Sequence, residues 1–158
     1  MSFSTKRLDS QLMAFESPLI SDRVRAKLDA AQVARLGTLD SNHEPHLVPI
    51  CFAFDGSVFY TAIDRKPKRV QANQLARLKH ITASPQVALL VDEYNDDWSR
   101  LWYVLVRGTA ELISDLVERD HALELLRAKY QQYRSGMLAD DPPIVRITPE
   151  RINTWGKI

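Results

Sequence analysis

Residues 46–63 read HLVPICFAFDGSVFYTAI, and the way this stretch folds decides the architecture of the chain. From His46 to Phe54 nearly every position is apolar, so neither alternating face is given to water. That is the pattern of a strand covered on both sides. Asp55–Gly56 is a strong hairpin signal, because glycine supplies the positive φ that a tight turn between twisted strands requires. SVFYTAI then returns as a second strand. Upstream, Val33 to Asp40 has extended character and is separated from His46 by the turn-forming SNHEP. Three strands in meander order follow.

Working outward, SDRVRAKLDAAQVARLG opens with Ser21 as a cap and spaces Val24, Leu28 and Ala31 along one helical face, ending before Gly37. Val70, Leu75 and Leu78 predict a second helix ending near Ala83-Ser84-Pro85, after which QVALLVDEY is the fourth strand and NDDWSR a loop. LWYVLVRGTAELI puts Trp102, Val104, Val106, Gly108, Ala110 and Leu112 on one face and is expected to be the longest strand. SDLVERDHALELLRAKYQQY begins at a cap-like Ser114 and carries Leu116, Leu123, Leu126, Tyr130 and Tyr133 at helical spacing. DDPP breaks the chain, and IVRITPERINTW supplies the last strand, with Pro149 near its end.

The expected fold is mainly β with flanking helices: six strands, closed as a small antiparallel barrel or left as an open sheet. One domain covers 1–158, with 1–18 as a flexible N-terminal arm. The length of 158 residues and the 45% hydrophobic content suit one core. Lys and Arg number 21 against 20 Asp and Glu, a net charge of +1, which is not the broad positive field of a nucleic-acid binder. The single cysteine, Cys51, allows no internal disulfide, no apolar run approaches membrane-spanning length, and MSFSTKRLDSQ lacks a signal-peptide core. A soluble, cytoplasmic protein is expected.

After the FYT of the third strand come Arg65, Lys66, Lys68 and Arg69, four cations in five positions. A charge run is ordinarily a solvated turn. This one sits where a strand end fixes the backbone and a helix begins, and the first amides of a helix are unpaired donors that suit a phosphate. His43, His46, His80 and His121 share no metal-ligand spacing, so no metal is expected. Cys51 reads as a small buried hydrophobe in its strand. Trp98, Trp102 and Trp155 are core or interface aromatics that could also wall a flat ring.

VARLGTLDSNHEPHLVPICFAFDGSVFYTAIDRKPKR resembles the first half of the split-barrel flavin-binding proteins related to pyridoxamine 5'-phosphate oxidase. The order of features carries the likeness: an ARLGTLD strand, a PHLVP strand, a DG hairpin, FYT, then an Arg-Lys pair. VALLVDEYNDDWSRLWYVLVRGTAEL and IVRITPERINTWG resemble a branch of that family that uses the 8-hydroxy-5-deazaflavin coenzyme F420. The resemblance implies an FMN-binding split barrel, homodimeric, with cofactor sites between the subunits. It implies Pro49, Tyr60, Thr61, Arg65, Lys66, Lys68, Arg69 and Trp155 as cofactor-binding residues. Tyr60 and Thr61 would border the ring and ribityl chain. Arg65 and Lys66 would hold the phosphate, with Lys68 and Arg69 sharing it and the acidic tail of F420. Trp155 of one subunit would close over the other's cofactor.

Two departures stand out. Little chain follows Trp155, so the substrate of the oxidase is not carried over. A serine is usual where this chain has Asp64, and a carboxylate beside a phosphate repels it unless it faces away or pairs with a cation. No proton-transfer dyad appears, which fits chemistry carried by a cofactor. The expected function is hydride transfer between F420 and a small organic substrate. The alternatives are an FMN-dependent oxidoreductase, or a carrier of flavin, deazaflavin or haem.

Overall fold

The computed structural model describes residues 20–64 and 68–158, with residues 68–75 described as backbone alone. The expected arm at 1–18 lies outside the described residues. Helix α1 spans Asp22–Ala30, and Ser21 caps it by accepting from the Val24 amide. Strands β1 (Ala34–Leu39), β2 (Pro45–Ile50), β3 (Ala53–Phe54) and β4 (Phe59–Ala62) follow, then α2 (Lys68–Ala83), β5 (Gln86–Glu93) and β6 (Trp102–Leu112). Helices α3 (Leu116–Lys129) and α4 (Gln131–Arg134) precede β7 (Ile144–Gly156).

The strands form one antiparallel sheet in the order β2-β1-β5-β6-β7-β4-β3, so the described residues hold seven strands where six were expected. The extra strand comes from HLVPICFAF, which breaks at Cys51–Phe52 and sends its two halves to opposite edges. This break shapes the molecule. A flat seven-stranded sheet would set its edges about 29 Å apart, yet the three-residue step from Ile50 to Ala53 reaches about 11 Å at most. The sheet therefore curls until its edges face each other, an open antiparallel barrel consistent with the split-barrel expectation.

What stabilises the break lies 78 residues downstream. The Tyr130 hydroxyl accepts from the Phe52 amide at 2.9 Å and lies 2.9 Å from the Phe52 carbonyl and 3.0 Å from that of Gln32. It thus meets backbone groups that a strand ladder would otherwise have to satisfy. Tyr130→Phe should leave two buried backbone groups short of a partner and cost about 2–3 kcal/mol, measured by urea unfolding.

Inside the barrel lie Leu36, Phe52, Phe54, Phe59, Leu89 and Val104 among others, closed at one end by Leu28 of α1 and flanked by Ile81 of α2. A second cluster forms outside the sheet, where α3 and α4 cover β3 and β4: Ala53, Tyr60 and Ala62 meet Leu123, Leu126 and Tyr133. Burying each of the larger aliphatic and aromatic side chains among these contributes roughly 1.5–3 kcal/mol.

Other boundaries differ from expectation. The cap of α3 is Asp115, which accepts from the Glu118 amide, and not Ser114; Leu116 is consequently exposed. Tyr130 ends α3 in extended geometry, leaving Tyr133 on the separate turn of α4. The longest strand is β7 with 13 residues, ahead of β6 with 11. Pro149 sits in mid-strand at a bulge, where Arg107 and Gly108 pair with Arg151 and Pro149 and Glu150 is left over. His43 does occupy a turn, with φ 64°. His46 and His80 are instead half-buried against each other, ring centroids 5.3 Å apart. No described helix is long and apolar enough to cross a membrane.

Candidate cofactor site

Adjacent residues of a strand point to opposite faces, and this separates Tyr60 from Thr61. Tyr60 turns outward under α3, where it is 3% exposed and its hydroxyl lies 3.3 Å from Asp55 Oδ2 and 3.2 Å from Glu118 Oε1. Burial, with the two carboxylates, pushes its pKa well above the ordinary phenol value. Its ring is taken up by packing, and its backbone pairs with Ala53 of β3 and Arg146 of β7. Thr61 points the other way, is buried, and its hydroxyl has no hydrogen-bond partner among the described residues.

From Ala62 the chain leaves the sheet through Ile63, whose amide donates to the Pro143 carbonyl at 3.0 Å. Asp64 follows, and its carboxylate accepts from the Tyr133 hydroxyl at 3.1 Å. Arg65 and Lys66 lie outside the described residues. Lys68 and Arg69 open α2, and their side chains lie outside them too. The far half of α2 carries Arg77, 6% exposed, with an Nε that has no hydrogen-bond partner among the described residues. Burial lowers its pKa while Asp64 and Tyr133 push it back up. A cavity of about 300 Å³ opens beside this corner, lined by Cys51, Asp64, Tyr130, Tyr133 and Met137. Cys51 is half-buried there, at the strand break, and not deep within a strand.

The second half of the predicted set lies across the outer face of β2, β1, β5, β6 and β7. Strand register puts Pro49 opposite Arg35, then Leu90, Leu105 and Asn153 in line. The next row is Leu47, Gly37, Ala88, Arg107 and Arg151. Beyond them Tyr103 pairs with Trp155, and the two rings stack with centroids 5.8 Å apart and 20° between planes. Trp155 is 54% exposed and Tyr103 36%. Trp102, one position away, is buried and donates to Glu93 Oε2 at 2.9 Å. Within one protomer Trp155 thus stands on the β6–β7 ladder, while the Asp64 corner follows β4.

Sequence reasoning missed two residues here. Tyr103 was visible only as surplus apolar surface, although its pairing with Trp155 follows once β6 and β7 are set side by side. Arg77 sits in LARLKH, which reads as a solvated helix face; nothing local says that it is buried.

The residues fit a phosphate-bearing ring cofactor on two counts. Two buried polar atoms, Thr61 Oγ1 before the cation segment in sequence and Arg77 Nε after it, have no hydrogen-bond partner among the described residues. An exposed stacked aromatic pair offers a flat wall. Among the described residues, no three His, Cys, Asp or Glu side chains gather as a metal set.

No protein of curated function matches the sequence. Among solved structures, a heme storage protein from Vibrio cholerae is 13% identical with TM-score 0.65, covering 85% of this chain and 92% of that one. A FAD-binding protein from Mesorhizobium loti is 23% identical with TM-score 0.57, with coverage of 85% and 92%. A conserved hypothetical protein from Mycobacterium tuberculosis is 18% identical with TM-score 0.64, with coverage of 87% and 85%. At these identities the likeness is one of fold. The profile of the pyridoxamine 5'-phosphate oxidase family matches residues 20–156, nearly the whole described chain, and this chain belongs to that family.

Proposed function

We propose that the protein is a cytoplasmic oxidoreductase that moves hydride between the deazaflavin coenzyme F420 and a small organic substrate. It acts as a homodimer with its cofactor sites between subunits. The observation that carries the reading is the corner after β4, where four cations follow a clamped strand end in sequence and two buried polar atoms, Thr61 Oγ1 and Arg77 Nε, lack partners among the described residues. Membership of the oxidase family, and a fold shared with a FAD-binding protein, support a flavin-type cofactor.

In this reading Arg65 and Lys66 hold the phosphate, while Lys68 and Arg69 share it and meet the acidic tail, which gives four cations a reason to be together. The unpaired amides at the start of α2 add to the anion site. Pro49 borders the ring from β2, and the backbone of Tyr60 and Thr61 runs beside the ribityl chain. Tyr103 and Trp155 of the other subunit cover the ring and exclude water. When bound, the reduced coenzyme supplies the hydride. The protein binds, orients and shields, and needs no acid-base dyad of its own.

FMN is the second reading, since it offers a phosphate to the same cations. A carrier role is a third, favoured by the fold shared with a heme storage protein. Native mass spectrometry of the purified protein, followed by calorimetric titration with F420 and FMN separately, distinguishes them. Tight F420 binding with consumption of the reduced coenzyme by an acceptor is expected. Tight FMN binding with peroxide release would move the assignment to FMN, and binding without turnover would make the protein a carrier.

Lys66→Ala is expected to weaken cofactor affinity tenfold or more without comparable loss of stability. A charge-assisted phosphate contact is worth roughly 1.5–3 kcal/mol. Unchanged affinity for both cofactors would remove the phosphate from this segment.

A further inference from the structure

We infer that the cleft between the end of α1 and the strands beneath it is a binding site for a small organic carboxylate, with Lys27 as the residue that holds its charge. The cavity measures about 390 Å³, within the range of small-molecule sites, and its lining includes Lys27, Ala31, Val33, Arg35, Asp92 and Trp102. Helix α1, the start of β1, the end of β5 and the start of β6 therefore meet around it. Trp102 belongs to the interior cluster that α1 closes, so one wall of the cleft is fixed by the core. The inference goes beyond the oxidoreductase reading and stands whichever cofactor the protein takes.

The charges in the cleft are unequally committed. Asp92 pairs with Arg35, and Glu93 accepts from the Trp102 indole at 2.9 Å and lies 3.5 Å from Arg100. Lys27 is half-buried, with its ammonium 4.9 Å from the centroid of the Trp102 ring, and it has no ion pair or side-chain hydrogen bond among the described residues. The usual task of a lysine in a last helical turn is to serve the carbonyls there. Here those carbonyls have other donors: the Ala31 amide reaches the Lys27 carbonyl at 3.0 Å, and the Lys129 ammonium reaches that of Leu28 at 2.9 Å. Contact with an indole face steadies a cation without occupying its N–H donors, so Lys27 keeps them for a ligand.

One uncommitted ammonium beside the apolar Ala30, Ala31 and Val33 selects a monoanion with an apolar body. A phosphate dianion fits poorly, because its sites use helix N-termini and arginine forks. This cleft lies at the C-terminal end of α1, whose carbonyls, with Asp92 and Glu93, oppose a second negative charge. A cationic ligand fits poorly too, since both carboxylates already have partners and Lys27 repels it. Lys27→Met keeps the stem on Trp102 and removes the charge, so it should weaken carboxylate binding by about tenfold or more. Lys27→Arg keeps the charge and should hold affinity within about threefold, because a single carboxylate accepts either cation.

The experiment is an NMR titration of the isotope-labelled full chain with benzoate, hydrocinnamate, benzyl alcohol and benzylamine. The chain holds three tryptophans, and the indole N–H signal of Trp102 is identified by elimination with Trp98→Phe and Trp155→Phe, both at exposed positions. A saturable shift of that signal with either acid is expected, at least about tenfold weaker with the alcohol and the amine, lost in K27M and kept in K27R. No saturable shift with either acid overturns the site. Equal affinity for acid and alcohol, or wild-type affinity in K27M, overturns the role of Lys27. So does a loss in K27R as large as that in K27M, which would trace the effect to packing and not to charge. Tighter binding of benzylamine than of the acids would make this a cation site governed by Asp92 and Glu93, and the carboxylate assignment would fall.

Discussion

Gly108→Ala is expected to abolish stable folding or to lower the melting temperature by roughly 10 °C or more. A Cβ at Gly108 would lie 2.0 Å from the Thr148 carbonyl oxygen, 2.9 Å from the Thr148 carbonyl carbon and 3.1 Å from Pro149 Cα. All three are backbone atoms of β7, so no side chain can swing aside. The crowding arises at the β-bulge, where Gly108 pairs with Pro149 and the extra residue presses β7 towards β6. Strands β6 and β7 form the longest ladder in the sheet, pairing from Trp102 with Gly156 to Leu112 with Val145, so the clash cannot be relieved at a free end. A cost of about 3–5 kcal/mol is reasonable for a backbone overlap, a large share of the 5–15 kcal/mol that holds a domain together. At this chain length each kcal/mol moves the melting temperature by roughly 2–4 °C. Gly136→Ala is the control. Its φ is 97° and nothing lies within 4 Å of its Cβ, so it should cost about 1 kcal/mol through backbone conformation alone. Thermal melts of the two variants side by side test the pair, and a well-folded Gly108→Ala protein would show that β6 and β7 can separate locally.

What the sequence made legible, and what it hid, divides by the range of the interactions. The α1 cap, β1, the Asp55–Gly56 turn, α2, β5 and β6 were readable because each is decided by residues a few positions apart. The cap of α3 was readable in principle: Asp115 stands three residues before Glu118, whereas Ser114 stands three before Val117. The split of HLVPICFAF was not, because its cause is a hydroxyl at Tyr130 that reaches Phe52 across the fold. Uniform apolarity could not reveal the break either, since Phe52 and Phe54 face the barrel interior and Ala53 faces α3. The role of Tyr60 was hidden in the same way: its sequence neighbours mark it as a strand residue, and only the packing of α3 takes its ring away from a ligand. Arg77 is the extreme case, a buried cation whose charge is favoured by Asp64 and Tyr133 at a distance in sequence and leaves no local trace.

Leu47→Glu is expected to convert the proposed homodimer into monomers and to weaken cofactor binding in the same step. Leu47 is 68% exposed, an unusual cost for a central residue of an apolar strand face unless another surface covers it. It stands over Gly37, where an added Cβ would lie 3.7 Å from Leu47 Cδ1 and 3.6 Å from the Ala88 carbonyl oxygen, and Gly37 and Ala88 themselves line a trough of about 330 Å³. Leu90, Leu105, Tyr103 and Trp155 extend the same face, with Arg107 and the Arg35–Asp92 ion pair among them. An apolar centre with charged neighbours is the anatomy of an obligate interface. A carboxylate placed at that centre would be buried without a partner on association, a penalty of roughly 3–4 kcal/mol or about 100- to 1,000-fold in dimer affinity. The protomer itself should be almost untouched, because substitutions at exposed positions usually change stability by about 0.5 kcal/mol or less. Sedimentation velocity with and without cofactor therefore separates assembly from folding. Since Trp155 of one subunit is proposed to cover the ring held by the other, loss of the dimer should lower cofactor affinity by mass action, and added cofactor should drive wild-type association. A Leu47→Glu protein that stays dimeric would place the interface elsewhere, and a folded monomer with full cofactor affinity would show that one chain builds the whole site.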